Sequence, residues 1–327
     1  PYARCSAAES AQAPCQTDSE EVSTVFIAGI DGGGTGTRLE LRRGDNTFTG
    51  RAEFGPFNIA AIGEERFTER LRGIFSYCGE MSECAALCIG GAGVSVGAMA
   101  DITHRELERR GFRGVLTLCG DHEIALRGAL SGPGGILIAG TGSICCGRNP
   151  AGEFVRCGGW GHIIDDAGSG YAIGRGALAE AVRAEDGRSP GSALHRAVME
   201  KLGARDAGGI VEFVYHSGAG KAGIAALAGL VLDCAAAGDI RSLDILDREA
   251  DELAALVRAL AAGMKTGRPR LALLGGLLTG KNVYADIVRS KLESLAELTE
   301  PEHDALWGAA QLAFDSLNTV QHGTAVP

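Results

Sequence analysis

The residues able to do chemistry gather in four glycine-rich stretches, Asp31–Thr37, Gly140–Ser143, Gly158–Gly170 and Gly275–Gly280, each preceded by an apolar run that reads as a strand. In the first, Val25, Phe26, Ile27 and Ile30 lead to Asp31, followed by Gly32, Gly33, Gly34, Thr35, Gly36 and Thr37. A loop with so few side chains lets backbone N–H groups come close to an anion. Phosphate fits that description, and Asp31 is placed to hold a metal ion beside it. A tight turn would need glycine at one or two positions; three in a row with flanking hydroxyls point to phosphate instead.

The third stretch, GGWGHIIDDAGSGY over residues 158–171, holds Asp165, Asp166, His162 and Trp160 among five glycines. Trp160 between glycines has little local packing, so it is suited to stacking on a ligand. A lone loop histidine is more often structural, and His162 is read that way. Asp121 directly follows the apolar run ending Leu118-Cys119-Gly120 and precedes a helix. Two roles stand open for it on position alone: helix N-cap, for which Asp is among the best residues, or catalytic base.

These residues need elements to hold them. Leu39 and Leu41 alternate through Arg38–Arg43, a period-two strand signal, and a turn at Gly44-Asp45-Asn46 leads to a third strand at about 47–54. Gly63 to Cys78 carries Phe67, Leu71, Ile74, Phe75 and Cys78 at helical spacing. Strands follow at 85–89 and 115–119, each leading into a helix. The pattern then restarts: Gly135 to Ser143 repeats apolar strand and glycine-flanked threonine, and further strands are expected at 144–148 and 153–157. Helices are expected over 242–264, with Gly263 as its stop, and over 304–317, with a strand at 270–274. An antiparallel meander followed by alternating β and α, occurring twice, predicts an α/β protein of two similar lobes with mixed sheets and a ligand cleft between them. The boundaries fall at 24–130 and 131–311, with the C-terminal helix, about 312–327, returning to the first lobe. Residues 1–23, rich in Ala, Ser, Gln and Glu, read as a mobile leader.

Composition narrows the class. The 327 residues carry 45% hydrophobic and 22% charged residues, as a globular protein does, but 50 glycines, roughly twice the usual share. A net charge of −10 argues against nucleic-acid binding, which Lys and Arg drive. Nothing approaches the ~18 apolar residues of a membrane span. Of ten cysteines, Cys88, Cys119 and Cys145 lie in strand-like apolar runs, and no C-x-x-C pair occurs, which implies reduced thiols in a cytoplasmic setting.

Taken in order, DGGGTGTR, Asp121, IAGTGS, GGWGHxxxDxGSGY and LLGGLL resemble the N-acetylglucosamine kinase group of the BadF/BadG/BcrA/BcrD-type ATPases, from about Val25 to Ala313. The resemblance implies two duplicated ribonuclease H-like domains, the actin-like ATPase and sugar kinase fold, with ATP and Mg²⁺ as cofactors. By it, Gly33, Gly34, Thr35, Gly36 and Thr37 form the first phosphate loop, with Asp31 near Mg²⁺. Gly140, Thr141, Gly142 and Ser143 form the second, and Gly275 and Gly276 meet the adenosine. Asp121 becomes the base for the sugar 6-hydroxyl, while Asn58, Thr141, Gly159, Trp160 and Asp166 hold the sugar. The chain departs from the group in having Ala167 where relatives carry Glu, and His122 and Glu123 where small residues follow the catalytic Asp.

The resulting expectation is an ATP-dependent amino-sugar kinase, with N-acetylglucosamine first and glucosamine or N-acetylmuramic acid as close variants. The resemblance also implies a homodimer. A rival of another class is an ATPase activating a 2-hydroxyacyl-CoA dehydratase-type partner through an iron–sulfur cluster. The chain lacks the glutamine-aspartate-lysine segment of those activators and any evident cluster-binding cysteine pair. A sugar-binding regulator without catalysis is a third reading, opposed by Asp121 and both phosphate loops.

Overall fold

The computed structural model describes residues 25–94 and 97–322; the stretch read as a leader and residues 323–327 of the expected C-terminal helix lie outside them. Two five-stranded sheets repeat one strand order. In the first, β1 (Phe26–Gly32), β2 (Thr37–Arg43) and β3 (Phe48–Phe54) form an antiparallel meander, and β4 (Cys84–Gly91) and β5 (Val115–Cys119) extend it in parallel on the other side of β1. The order is β3-β2-β1-β4-β5. In the second, β6 (Gly134–Ala139), β7 (Ser143–Arg148) and β8 (Phe154–Gly158) form the meander, and β9 (Arg270–Leu274) and β10 (Glu297–Thr299) the parallel extension, in the order β10-β9-β6-β7-β8.

Sequence accounts for most of this. Ile27, Ala28 and Ile30 of β1 are fully buried because helices cover the sheet where β1 is central. Edge strand β3 alternates between exposed and half-buried residues, as a strand facing water on one side does. Glu64–Cys78 is a helix because Phe67, Leu71, Ile74 and Phe75 recur on one face and Glu64 and Glu65 favour its N-terminus. Gly63, expected inside it, stands before it at φ 80°, a left-handed conformation that suits glycine.

Ile240–Gly263 is capped by Asp239, whose carboxylate accepts from Ser242 N at 2.9 Å. The helix stops where expected. Gly263 is the last helical residue, and the left-handed turn falls on Lys265 at φ 55°. Gly263 is small for a tertiary reason: a Cβ there would lie 2.7 Å from Val155 Cγ1 of β8.

The helix Ala305–His322 crosses from the second sheet to the first and packs against β1 and the helix Asp121–Ala129. Glycines permit the contact. A Cβ at Gly29 would lie 2.2 Å from Ala310 N, and one at Gly308 would lie 2.0 Å from Ile124 O. A buried ion pair fastens the same helix to β2: Arg42 pairs with Glu40 at 2.6 Å, and its Nη1 donates to Gln311 at 3.2 Å. The two segments that join the lobes also pair with each other, Glu302 N and His303 N donating to Ala129 O and Gly128 O at 3.0 and 2.8 Å. Among the described residues no single helix is long and apolar enough to cross a membrane.

Candidate active site

A cavity of about 820 Å³ opens between the lobes. Asp121, His122 and Glu123 line it from the first lobe; Gly140–Ser143, Phe154, Arg156, Gly159, Asp166 and Lys221 line it from the second. Asp121 is the first residue of its helix rather than the N-cap, which is Gly120. Glu123 does the capping: its backbone N donates to Gly120 O and its carboxylate accepts from Gly120 N, each at 3.0 Å. Asp121 is therefore spared that duty, and its side chain stays 63% exposed. The His122 ring beside it, Nδ1 3.5 Å from Oδ1, holds the Asp121 carboxyl below the usual carboxylate range. At neutral pH it is an ionised acceptor at the N-terminus of a helix.

The second glycine loop is a tight connection between β6 and β7. Gly140 N donates to Gly142 O at 2.9 Å, and Gly140 O accepts from Gly170 N at 2.8 Å. The N–H groups of Thr141 and Gly142 have no acceptor among the described residues. Unpaired backbone donors at a loop without bulk are the kind of feature from which anion-binding concavities are built. Ser143 Oγ donates to Ala167 O at 2.6 Å, which ties this loop to the 158–170 stretch.

That stretch is braced from several sides. Asp166 is 3% exposed and sits at φ 61°, a conformation few non-glycine residues adopt. Its Oδ2 accepts from Lys221 Nζ at 2.7 Å. Gly168 N donates to buried Glu249 at 2.9 Å, and Gly168 O accepts from Tyr284 OH at 2.8 Å. Arg156 donates to Gly158 O and Gly159 O at 3.2 and 2.5 Å and lies 4.1 Å over the Trp160 ring. Asp165 accepts from Trp160 N at 3.1 Å. His162 packs edge-on against Tyr171, a structural contact.

The first loop lies apart from this cavity. Asp31, Gly33 and Thr35–Arg38 line a separate recess of about 360 Å³. Gly33 N donates to Gly36 O at 2.9 Å, and the N–H groups of Gly34, Thr35 and Gly36 have no acceptor among the described residues. Thr37 is buried, its hydroxyl donating to Gly55 O at 2.7 Å. Asp31 is the cross-strand neighbour of Arg38, and the two form an ion pair at 2.6 Å through Oδ2; Arg38 also reaches Asp304 at 3.0 Å.

Other expected site residues also stand outside the main cavity. Asn58 caps the short helix Ile59–Ile62, accepting from Ala60 N at 2.9 Å. Trp160 is 62% exposed. Gly275, at φ 87°, packs against the Ala139 carbonyl just before the second loop, and Gly276 begins the short helix Gly276–Thr279. Sequence reasoning did not single out Lys221 or Arg156. The only signals were a lysine among glycines in GAGKAG and an arginine two residues before Gly158. The described cysteines are free thiols; Cys88 and Cys145 are buried, and burial pushes the Cys146 thiol up to about 12.

The profile of the BadF/BadG/BcrA/BcrD ATPase family matches residues 28–313. An N-acetylmuramic acid/N-acetylglucosamine kinase of Clostridium acetobutylicum is 32% identical over 299 residues, 88% of this chain and 98% of that one. A provisionally named N-acetylglucosamine kinase of Chromobacterium violaceum has a solved structure that superimposes with TM-score 0.70 at 29% identity, covering 89% of this chain and 99% of that one. A hexokinase of the ROK type from Thermus thermophilus shares the fold at TM-score 0.53 and 14% identity, over 90% of this chain and all of that one.

Proposed function

This chain belongs to the BadF/BadG/BcrA/BcrD ATPase family, and we propose that it transfers the terminal phosphoryl group of ATP to a hydroxyl of an amino sugar. N-acetylglucosamine, phosphorylated at its 6-hydroxyl, is the leading substrate. One observation carries the reading: an exposed, ionised Asp121 shares a cavity with the unpaired Thr141 and Gly142 amides. A base and an anion cradle in one space are what phosphoryl transfer to an alcohol requires.

In this reading Asp121 accepts the proton of the attacking hydroxyl, a contribution of ~10²–10⁴-fold for a positioned base. The two glycine loops take the phosphates through their free N–H groups. Asn58, Thr141, Gly159, Trp160 and Asp166 hold the sugar, and Gly275 and Gly276 meet the adenosine. Mg²⁺ is ordinarily held by one or two carboxylates together with substrate phosphates. Asp31 suits that role: Arg38 takes Oδ2, and Oδ1 has no partner among the described residues. When bound there, the ion would neutralise phosphate charge. Closure of the lobes would bring the first loop and Trp160 to the main cavity and exclude water.

Arg156 favours a second substrate. A guanidinium lining the cavity beside Gly159 is suited to a carboxylate, and N-acetylmuramic acid, named for the Clostridium relative, carries one. An ADP-release assay with Mg²⁺·ATP over N-acetylglucosamine, N-acetylmuramic acid, glucosamine and glucose tests both readings. Turnover of an amino sugar over glucose is expected, and no turnover on any of them would overturn the assignment. Asp121→Asn should lower kcat by at least ~10²-fold with little change in ATP binding.

A further inference from the structure

Lys221 is the second residue of the helix Gly220–Ala226, which follows Ser217-Gly218-Ala219. That helix lies directly on the helix Gly170–Glu185: a Cβ at Gly174 would sit 1.9 Å from Ile224 O. Backbones in contact leave the start of Gly220–Ala226 little freedom to drift from the loop that begins the partner helix. The lysine reaches back over the second glycine loop. Its Nζ lies 2.7 Å from Asp166 Oδ2, and a Cβ at Gly142 would be 3.0 Å from that nitrogen.

An ammonium carries three donors, and Asp166 is the one acceptor Lys221 meets among the described residues. Its side chain is 33% exposed, so the remaining donors face the cavity. Arg156, another cation lining that cavity, spends Nε and Nη2 on the carbonyls of Gly158 and Gly159 and lies over the Trp160 ring, so its charge is held at the 158–160 turn rather than over the Thr141–Gly142 loop. Lys221 therefore brings positive charge with unused donors to the unpaired amides of Thr141 and Gly142, in a chain of net charge −10.

We infer that Lys221 binds the polyphosphate of the nucleotide, sharing its ammonium between that anion and Asp166. The inference rests on the kinase reading and adds a residue to it. A lysine that only neutralised Asp166 would leave nucleotide affinity indifferent to the number of phosphates, and this supplies the test.

Binding of ATP, ADP and adenosine is measured by titration calorimetry for the wild type, Lys221→Met and Lys221→Arg. A charged hydrogen bond is worth about 10- to 100-fold in affinity. Lys221→Met should weaken ATP by about that factor, ADP by less and adenosine not at all, and Lys221→Arg should recover most of the loss. Equal affinities for ATP in Lys221→Met and wild type, or an equal loss for all three ligands, would overturn the inference. If Lys221→Met fails to fold, the double variant Lys221→Met/Asp166→Asn, which buries no unpaired carboxylate, takes its place. It should show the same phosphate-graded loss, and wild-type ATP affinity would overturn the inference. Wild-type turnover on the sugar panel is measured alongside. Absent turnover with a phosphate-graded loss counts against the kinase reading alone, and normal turnover without that loss counts against Lys221 alone.

Discussion

Two carboxylates in one cavity are set to different tasks by what surrounds them. Asp166 is buried, strained at φ 61° and paired with Lys221, so its charge is balanced by a neighbouring cation. Asp121 is exposed at a helix start and tuned by His122, so it is free to exchange a proton. Because the His122 ring lowers the Asp121 pKa, the acid limb of kcat/KM should fall below the ordinary Asp value of about 3.9. Activity is then retained as pH drops until that lowered pKa is crossed. Removing the ring in His122→Ala should shift the limb to higher pH, as a pH–rate profile would register; an unmoved limb would deny Asp121 the role of base. At this scale the sequence was partly legible. It marked Asp121 but left N-cap and base unresolved, because the two positions differ by one residue and Glu123 decides between them. Lys221 stayed hidden because its partner lies 55 residues away, beyond any local spacing rule.

Elements were more legible than their ends. The opening strand of each meander and the strand Arg270–Leu274 could be read from apolar runs ending in glycine, since a central strand must be apolar on both faces and a phosphate-type loop must lack side chains. The long helix does end at Gly263, yet the size of that residue also answers to Val155, a tertiary neighbour that no local stop signal reveals. The crossing of Asp121–Ala129 with Ala305–His322 was likewise not legible, as it depends on Gly128 and Gly308 meeting in space. Gly308→Ala should force the helices apart, costing about 1–3 kcal/mol as overpacking does. Because Asp121 stands on one of the two helices, the same change should lower kcat more than it raises the ATP KM. Denaturant unfolding and steady-state kinetics on one preparation would check both, and wild-type values in each would show that the crossing is slack.

For the whole molecule, the doubled strand order was foreseeable from the repeated loop, whereas the separation of the two loops into different recesses was not. Sequence order says nothing of the angle between lobes. If the first loop is to join the second around one nucleotide, the lobes must close about the paired segments near Gly128–Ala129 and Glu302–His303. Small-angle scattering should show a smaller radius of gyration with a non-hydrolysable ATP analogue plus sugar than with neither; an unchanged radius would refute closure. The helix that follows these paired segments also bears on how the protein is made. Gly29, Ile124 and Arg42 in the first lobe are covered by residues that leave the ribosome only after the whole second lobe has emerged. The first lobe therefore cannot complete its core during synthesis in the order its strands appear. Its β1 face must wait, exposed or chaperoned, for Ala305–His322 to arrive.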